Sequence, residues 1–191
     1  MDLIEKIIHL FRPGTDLSKI YTASMLPREL PEFHPYPRKD FLGVNGVHAY
    51  RVQFMAAAVD AESVLGVIRD HFKIERFDVF QAGSARNDKG ESIHFSIHPE
   101  FNGAVVELVS NAIPFFESLD KLAIQPPPPP WVAFPKIVPD ALGSLQGSID
   151  CWWTWYWEPF WETASDEEKT RYLVDNHASP QWSLCIKAHQ S

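Results

Sequence analysis

Several residue patterns that support common protein chemistries are scarce or missing in this chain. It holds two cysteines, Cys151 and Cys185, too few for a disulfide framework. In a reducing compartment both are expected as free thiols, packed as small hydrophobes. No apolar run approaches the roughly 20 residues that cross a bilayer. Charges and prolines interrupt the first thirty residues where a signal peptide has a continuous apolar stretch. The expected location is therefore the cytoplasm, with no membrane partner. Catalytic signatures are missing as well: there is no G-x-S-x-G, P-loop, G-x-G-x-x-G, H-E-x-x-H or C-x-x-C. His94 and His98, on one face of an expected strand, would stand about 13 Å apart, too far to share a zinc ion. They read as sheet-surface histidines, and Ser96 between them lacks the oxyanion motif that a Ser–His dyad needs. The expectation is no catalytic residue, no metal ligand and no cofactor.

Cations are the next scarcity. Residues 1–95 carry 12 Lys+Arg against 13 Asp+Glu, and residues 96–191 carry 5 against 12, so the second half holds −7 of the net −8. That field repels nucleic acid, whose binding rests on cations placed against phosphates. It attracts a basic partner and speeds the encounter. Solubility alone is the competing reason for mild acidity.

What is present suits one α+β domain over residues 1–191, with a mostly antiparallel sheet, helices chiefly on one face and a proline-rich N-terminal arm. "DLIEKIIHLF" has helical spacing, and the prolines at 27, 31, 35 and 37 make the rest of segment 1–45 an extended arm. Segment 46–125 reads as β-α-β-β-β: a strand in "VHAYRVQFMAAAVD", then a helix with Asp60 as N-cap and a stripe of Ala61, Val64, Leu65, Ile68 and Phe72. The strands "RFDVFQ", "SIHFSIH" and "AVVELVS" follow, joined by turns at "SARNDKGE" and Glu100 to Gly103. "PFFESLDKLA" is a short helix with Pro114 in its first turn. The prolines of residues 126–130 form a polyproline rod, a stiff connector or a ligand for an aromatic groove. Segment 131–191 reads as β-α-β, its helix opened by a capping box of Ser165 and Glu168 and ended near Asn176.

Five of the seven tryptophans fall in "CWWTWYWEPFW", residues 151–161. Read as a strand, this run puts Cys151, Trp153, Trp155 and Trp157 on a core face. Trp152, Thr154, Tyr156 and Glu158 then share an amphipathic face, covered either by a partner or by a helix of the same domain. "EPFWETASDEE" adds carboxylates around further rings. The expected partner-binding residues are Trp152, Tyr156, Glu158, Phe160, Trp161, Glu162, Asp166, Glu167 and Glu168. A solvated helix N-terminus would explain residues 166–168 well, and Trp161 less well.

A small acidic chain with Trp153, Trp155 and Trp157 in alternation, a following acidic capped helix and the terminal "SPQWS" resembles bacterial immunity proteins over residues 90–190. These are the cognate inhibitors of polymorphic toxins delivered by type VI or contact-dependent systems. The resemblance carries over no residue role. It implies no catalysis, no cofactor and one tight protein partner: a cognate basic toxin, a nuclease by preference, occluded by a monomeric or homodimeric inhibitor. Two other functions remain open. One is an enzyme using an aromatic-lined pocket around Trp152, Tyr156 and the histidines of "SIHFSIH". The other is a scaffold displaying the polyproline rod.

Overall fold

A computed structural model describes residues 16–23, 26, 32–43, 46–74, 78, 81–139 and 147–188. The helix expected in "DLIEKIIHLF", and the prolines at 27 and 31, lie outside the described residues. Elements follow in the order α1 (Leu17–Ile20), β1 (Lys39–Phe41), β2 (Tyr50–Ala56), α2 (Ala58–Phe72), β3 (Gln81–Arg86), β4 (Ser92–Glu100), β5 (Gly103–Ser110), α3 (Ile113–Leu119) and α4 (Pro130–Ala133). Then come α5 (Ser148–Trp152), a π-helical turn (Trp153–Trp157), α6 (Glu158–Thr163), α7 (Asp166–Asp175) and α8 (Pro180–Ala188). The five strands pair antiparallel in the order β1-β2-β5-β4-β3. The chain is therefore α+β, with the expected β-α-β-β-β order intact. Most of the strand expected in "RFDVFQ" lies outside the described residues; β3 runs through Gln81–Arg86, into the expected turn "SARNDKGE", so the turn is confined to Asn87–Gly90, with Gly90 at φ 82°.

Alternation along β2 sends Tyr50, Val52, Phe54 and Ala56 to one face. There they meet Ile93, Phe95 and Ile97 of β4, Ala104, Val106 and Leu108 of β5, and the stripe of α2. Phe115, Phe116 and Leu119 of α3 complete this layer. Asp60 is not the N-cap of α2: the helix begins at Ala58, and the Asp60 carboxylate instead accepts the Gln125 N–H at 3.0 Å. The β4–β5 loop is two residues, Phe101 and Asn102, both at positive φ (52° and 58°), as a tight hairpin requires. Phe101 holds that conformation with its ring against Phe134 and Tyr156, and Asn102 Nδ2 donates to the Val132 carbonyl at 2.7 Å.

The tryptophan run is a helix and not a strand. The spacing that governs it is four, not two. Trp153, Trp157 and Trp161 recur every four residues, as do Trp152, Tyr156 and Phe160, so two adjacent ridges of one helix carry the rings. Pro159 has no N–H to bond the preceding turn, and the Glu158 N–H reaches back five residues to the Trp153 carbonyl. A π turn results. Trp153 and Trp157 lie 4.4 Å apart, and Trp157 stacks on Trp161 at 4.7 Å with a 17° interplanar angle.

This helix packs on Met55 and Val105, on the sheet face opposite α2 and α3, so both faces carry helical cover. "QWSLCIKA" is also helical, as α8, with Trp182 and Ile186 turned inward. The β-α-β expected for 131–191 is thus helix throughout its described elements. Only its middle element matches: α7 has the Ser165–Glu168 capping box and ends at Asn176. The polyproline rod is a packed connector, with Pro127, Pro129 and Pro130 buried. The Trp157 indole donates to the Tyr172 hydroxyl at 3.2 Å, which donates to the Pro127 carbonyl at 2.7 Å.

Candidate functional site

Four of the nine expected contact residues are core. Trp152 is 0 % exposed, Tyr156 5 %, Phe160 9 % and Trp161 4 %. Little of these rings is left for a partner, because the helical spacing that aligns them also turns them inward, and Phe160 keeps only a small exposed edge in the cleft beside α7. The carboxylates take the opposite direction. Glu158 and Glu162 lie one turn apart on the outer side of the helix, half-buried and exposed respectively, and Asp166, Glu167 and Glu168 are exposed at the start of α7. Glu167 pairs with Arg171 at 3.1 Å. Among the described residues no cation stands within ion-pairing distance of Glu158, Glu162 or Asp166. Lys169 places its Nζ 5.7 Å from the centre of the Trp161 ring. Glu168 is held below the ordinary carboxylate range by hydrogen bonds from the Ser165 backbone and hydroxyl. The site that survives folding is therefore a ridge of carboxylates on a scaffold of rings.

A cleft lies on each side of this ridge. The smaller, about 300 Å³, runs between helix and sheet and is lined by Arg38, Asp40, Arg51, Trp155, Glu158 and Glu162 among others. Trp155 is the half-buried ring of the run, and the Arg51 guanidinium sits 5.6 Å from its centre. The larger cleft, about 650 Å³, lies between the proline arm and α7 over Tyr36, Phe160 and Tyr172.

Beneath the small cleft the second sheet face carries polar groups that the sequence reading passed over. The register sets Gln53 opposite Glu107, and Glu107 opposite Ser96. Glu107 is 4 % exposed and Arg51 5 %, with their charged atoms 3.8 Å apart. Arg51 also donates to Gln53, and the Gln53 amide donates to the Tyr156 hydroxyl at 2.9 Å. Burial pushes the Glu107 carboxyl up to about 7, outweighing the pull of Arg51, and burial likewise lowers Arg51. Its Oε2 is sealed from solvent without a hydrogen-bond partner among the described residues. The signal was available: Arg51 and Gln53 alternate within "YRVQFMA", and Glu107 interrupts "AVVELVS".

The histidines part company. His94 is buried rather than on the surface, with Nδ1 2.7 Å from the Tyr21 hydroxyl, which lies 2.8 Å from the Val109 carbonyl. A carbonyl only accepts, so the Tyr21 proton goes to Val109 and His94 donates from Nδ1. Desolvation lowers His94, favouring this neutral form. His98 faces Glu100 at 3.2 Å nearer the surface. Cys151 is exposed and not packed, whereas Cys185 is half-buried with Sγ 3.4 Å from the Pro139 carbonyl. Among the described residues no group of three or more His, Cys, Asp or Glu is placed to hold a metal, and no helix is long and apolar enough to cross a membrane.

Comparison of the chain with protein-family models, curated proteins and solved structures finds no match.

Proposed function

We propose that this protein is a non-catalytic inhibitor of the immunity type. It binds a cognate basic toxin, a nuclease by preference, and covers the surface with which that toxin holds phosphate. The observation that carries the reading is the outward ridge of Glu158, Glu162 and Asp166, none of them within ion-pairing distance of a cation among the described residues, continued by Glu167 and Glu168. A rigid, outward anionic surface of this kind supports fast association with a cationic one and gives specificity against neutral surfaces. The rings set the ridge in place and do not touch the partner. On this reading the protein works in the bacterial cytoplasm, as a monomer or homodimer, beside the machinery of type VI or contact-dependent delivery. Co-expression with the product of the adjacent gene tests it: an equimolar complex that loosens as salt rises is expected. A neighbour that neither binds nor is toxic on its own would overturn it.

Glu107 favours a second reading. A buried carboxyl titrating near neutrality beside an arginine and a phenol has the properties of a general acid–base. A catalytic role predicts loss of a measurable reaction in Glu107→Gln with folding retained.

A further inference from the structure

The smaller cleft differs from the open ridge because a buried cation reaches it from the sheet side. Arg51 is more than nine-tenths buried, yet it lines the cleft. One of its guanidinium nitrogens is engaged: Nη2 donates to Gln53 Oε1 and stands 3.8 Å from a Glu107 oxygen. Nε and Nη1 have no hydrogen-bond partner among the described residues. Neither is sealed from solvent, in contrast to Glu107 Oε2. Glu107 does not claim them, since it lies beyond hydrogen-bond reach and burial favours its neutral form. The Trp155 ring holds the guanidinium in place, its centre 5.6 Å away. Donors of a buried guanidinium are ordinarily bonded. Here two nitrogens are left for an acceptor that enters the cleft.

The remaining charges narrow the choice of acceptor. Asp40, opposite Arg51 in the register, is engaged by Arg38 through both oxygens, at 2.9 and 3.3 Å. Glu158 and Glu162 line the cleft from the helix side and have no cation within ion-pairing distance among the described residues. An available cation on the sheet side and two available carboxylates on the helix side make the cleft dipolar. A phosphate or a dicarboxylate would set like charge against Glu158 and Glu162, and a simple cation would meet Arg51. A ligand with one charge of each sign satisfies both walls. At about 300 Å³ the space is at the small end of ligand sites and suits a single amino acid. The half-buried Trp155 ring offers an apolar side chain a surface.

We propose that this cleft binds a free zwitterionic α-amino acid with an apolar side chain, its carboxylate accepting from Arg51, its ammonium facing Glu158 and Glu162, and its side chain against Trp155. The site goes beyond the inhibitor reading and does not depend on it, because the ligand is a small molecule and no protein partner is needed to complete the cleft.

The test titrates L-leucine into the full chain and follows the Arg51 Nε–H and Trp155 indole N–H resonances. Saturable millimolar binding that shifts both is expected. N-acetyl-L-leucine lacks the ammonium and L-leucinamide lacks the carboxylate, so each should bind at least about tenfold more weakly. Glu158→Gln with Glu162→Gln should weaken leucine about fivefold, the loss expected for two partly exposed charge contacts. Arg51→Gln should abolish saturation, with circular dichroism and urea unfolding checking its fold. Should that variant not fold, the two leucine derivatives decide the matter on the parent chain. A leucine titration without saturation, shifts that miss Arg51 and Trp155, or derivatives that bind as well as leucine would each overturn the assignment. Binding of a basic protein is unaffected by any of these outcomes and tests the inhibitor reading separately.

Discussion

The two faces of the sheet are built from opposite materials. Against α2 and α3 the face is aliphatic and phenylalanine-rich, with its buried charge at the edge, where Lys39 bonds Asp120. The other face is divided into three. Tyr21, Leu42 and Val47 close over Val109 at one end, and the tryptophan helix closes over Met55 and Val105 at the other. Between them lie Arg51, Gln53, Glu107 and Ser96. The first face serves as a foundation, and what distinguishes this molecule is on the second: the polar row, the ring stack and the carboxylates that the stack holds outward. A dry, uniform face contributes stability; a divided one places groups where their ionisation and exposure can matter.

Substitutions that strike one face at a time sharpen that contrast. The largest effect is expected from Trp157→Ala. Trp157 sits between Trp153 and Trp161 and bonds Tyr172, and its loss should cost about 4 kcal/mol in urea unfolding. Leu65→Ala on the first face should cost about 3 kcal/mol by the same measurement. A near-neutral Trp157→Ala would mean that the stack is not core.

Glu107→Gln comes next, and its sign is opposite at neutral pH. The folded carboxyl titrates at about 7 and the unfolded one near 4.5, so the folded state holds the extra proton between these values. Stability from this group is fully present below the lower value and is lost as pH rises to the upper one. Above pH 7 the variant should exceed the parent by up to about 3 kcal/mol, with the gap closing toward acid. Equal stability of the two at every pH would mean that Glu107 is solvated.

Tyr21→Phe removes the hydroxyl shared by Val109 and His94, and should cost about 2 kcal/mol of unfolding free energy through the loss of two buried hydrogen bonds. Ser165→Ala removes the α7 cap and should cost about 1 kcal/mol. Smallest of all, Glu162→Gln should shift stability by less than about 0.5 kcal/mol, as befits a surface charge.

The same contrast governs what could be read from the sequence. On the first face burial and periodicity agree: the α2 stripe and the alternation of β2 place Val64, Leu65, Val52 and Phe54 correctly because one neighbouring layer decides each. The Ser165 capping box is a local signal and was legible for the same reason. Two ridges of rings, by contrast, overlay periods of two and four in one string, and the alternation of Trp153, Trp155 and Trp157 imitates a strand. Pro159 and the repeat from Trp153 to Trp157 to Trp161 were the discriminating signs. Of the expected site the carboxylates stayed outside, since desolvating them would be prohibitive, and Trp152, Tyr156, Phe160 and Trp161 went inward. The cleft over Tyr36 brings together residues as distant in sequence as 34 and 176, a juxtaposition that no local pattern encodes.

Everything functional here depends on carboxylates outside and rings inside acting as separate devices. The most direct measurement is the affinity of the complex with the cognate basic partner for the parent and for the triple variant Glu162→Gln, Asp166→Asn, Glu167→Gln. At low salt the variant should bind at least about tenfold more weakly, mainly through slower association, while its unfolding free energy falls by no more than about 2 kcal/mol as the start of α7 loses two favourable charges. Equal affinity of variant and parent across the salt range would contradict the account.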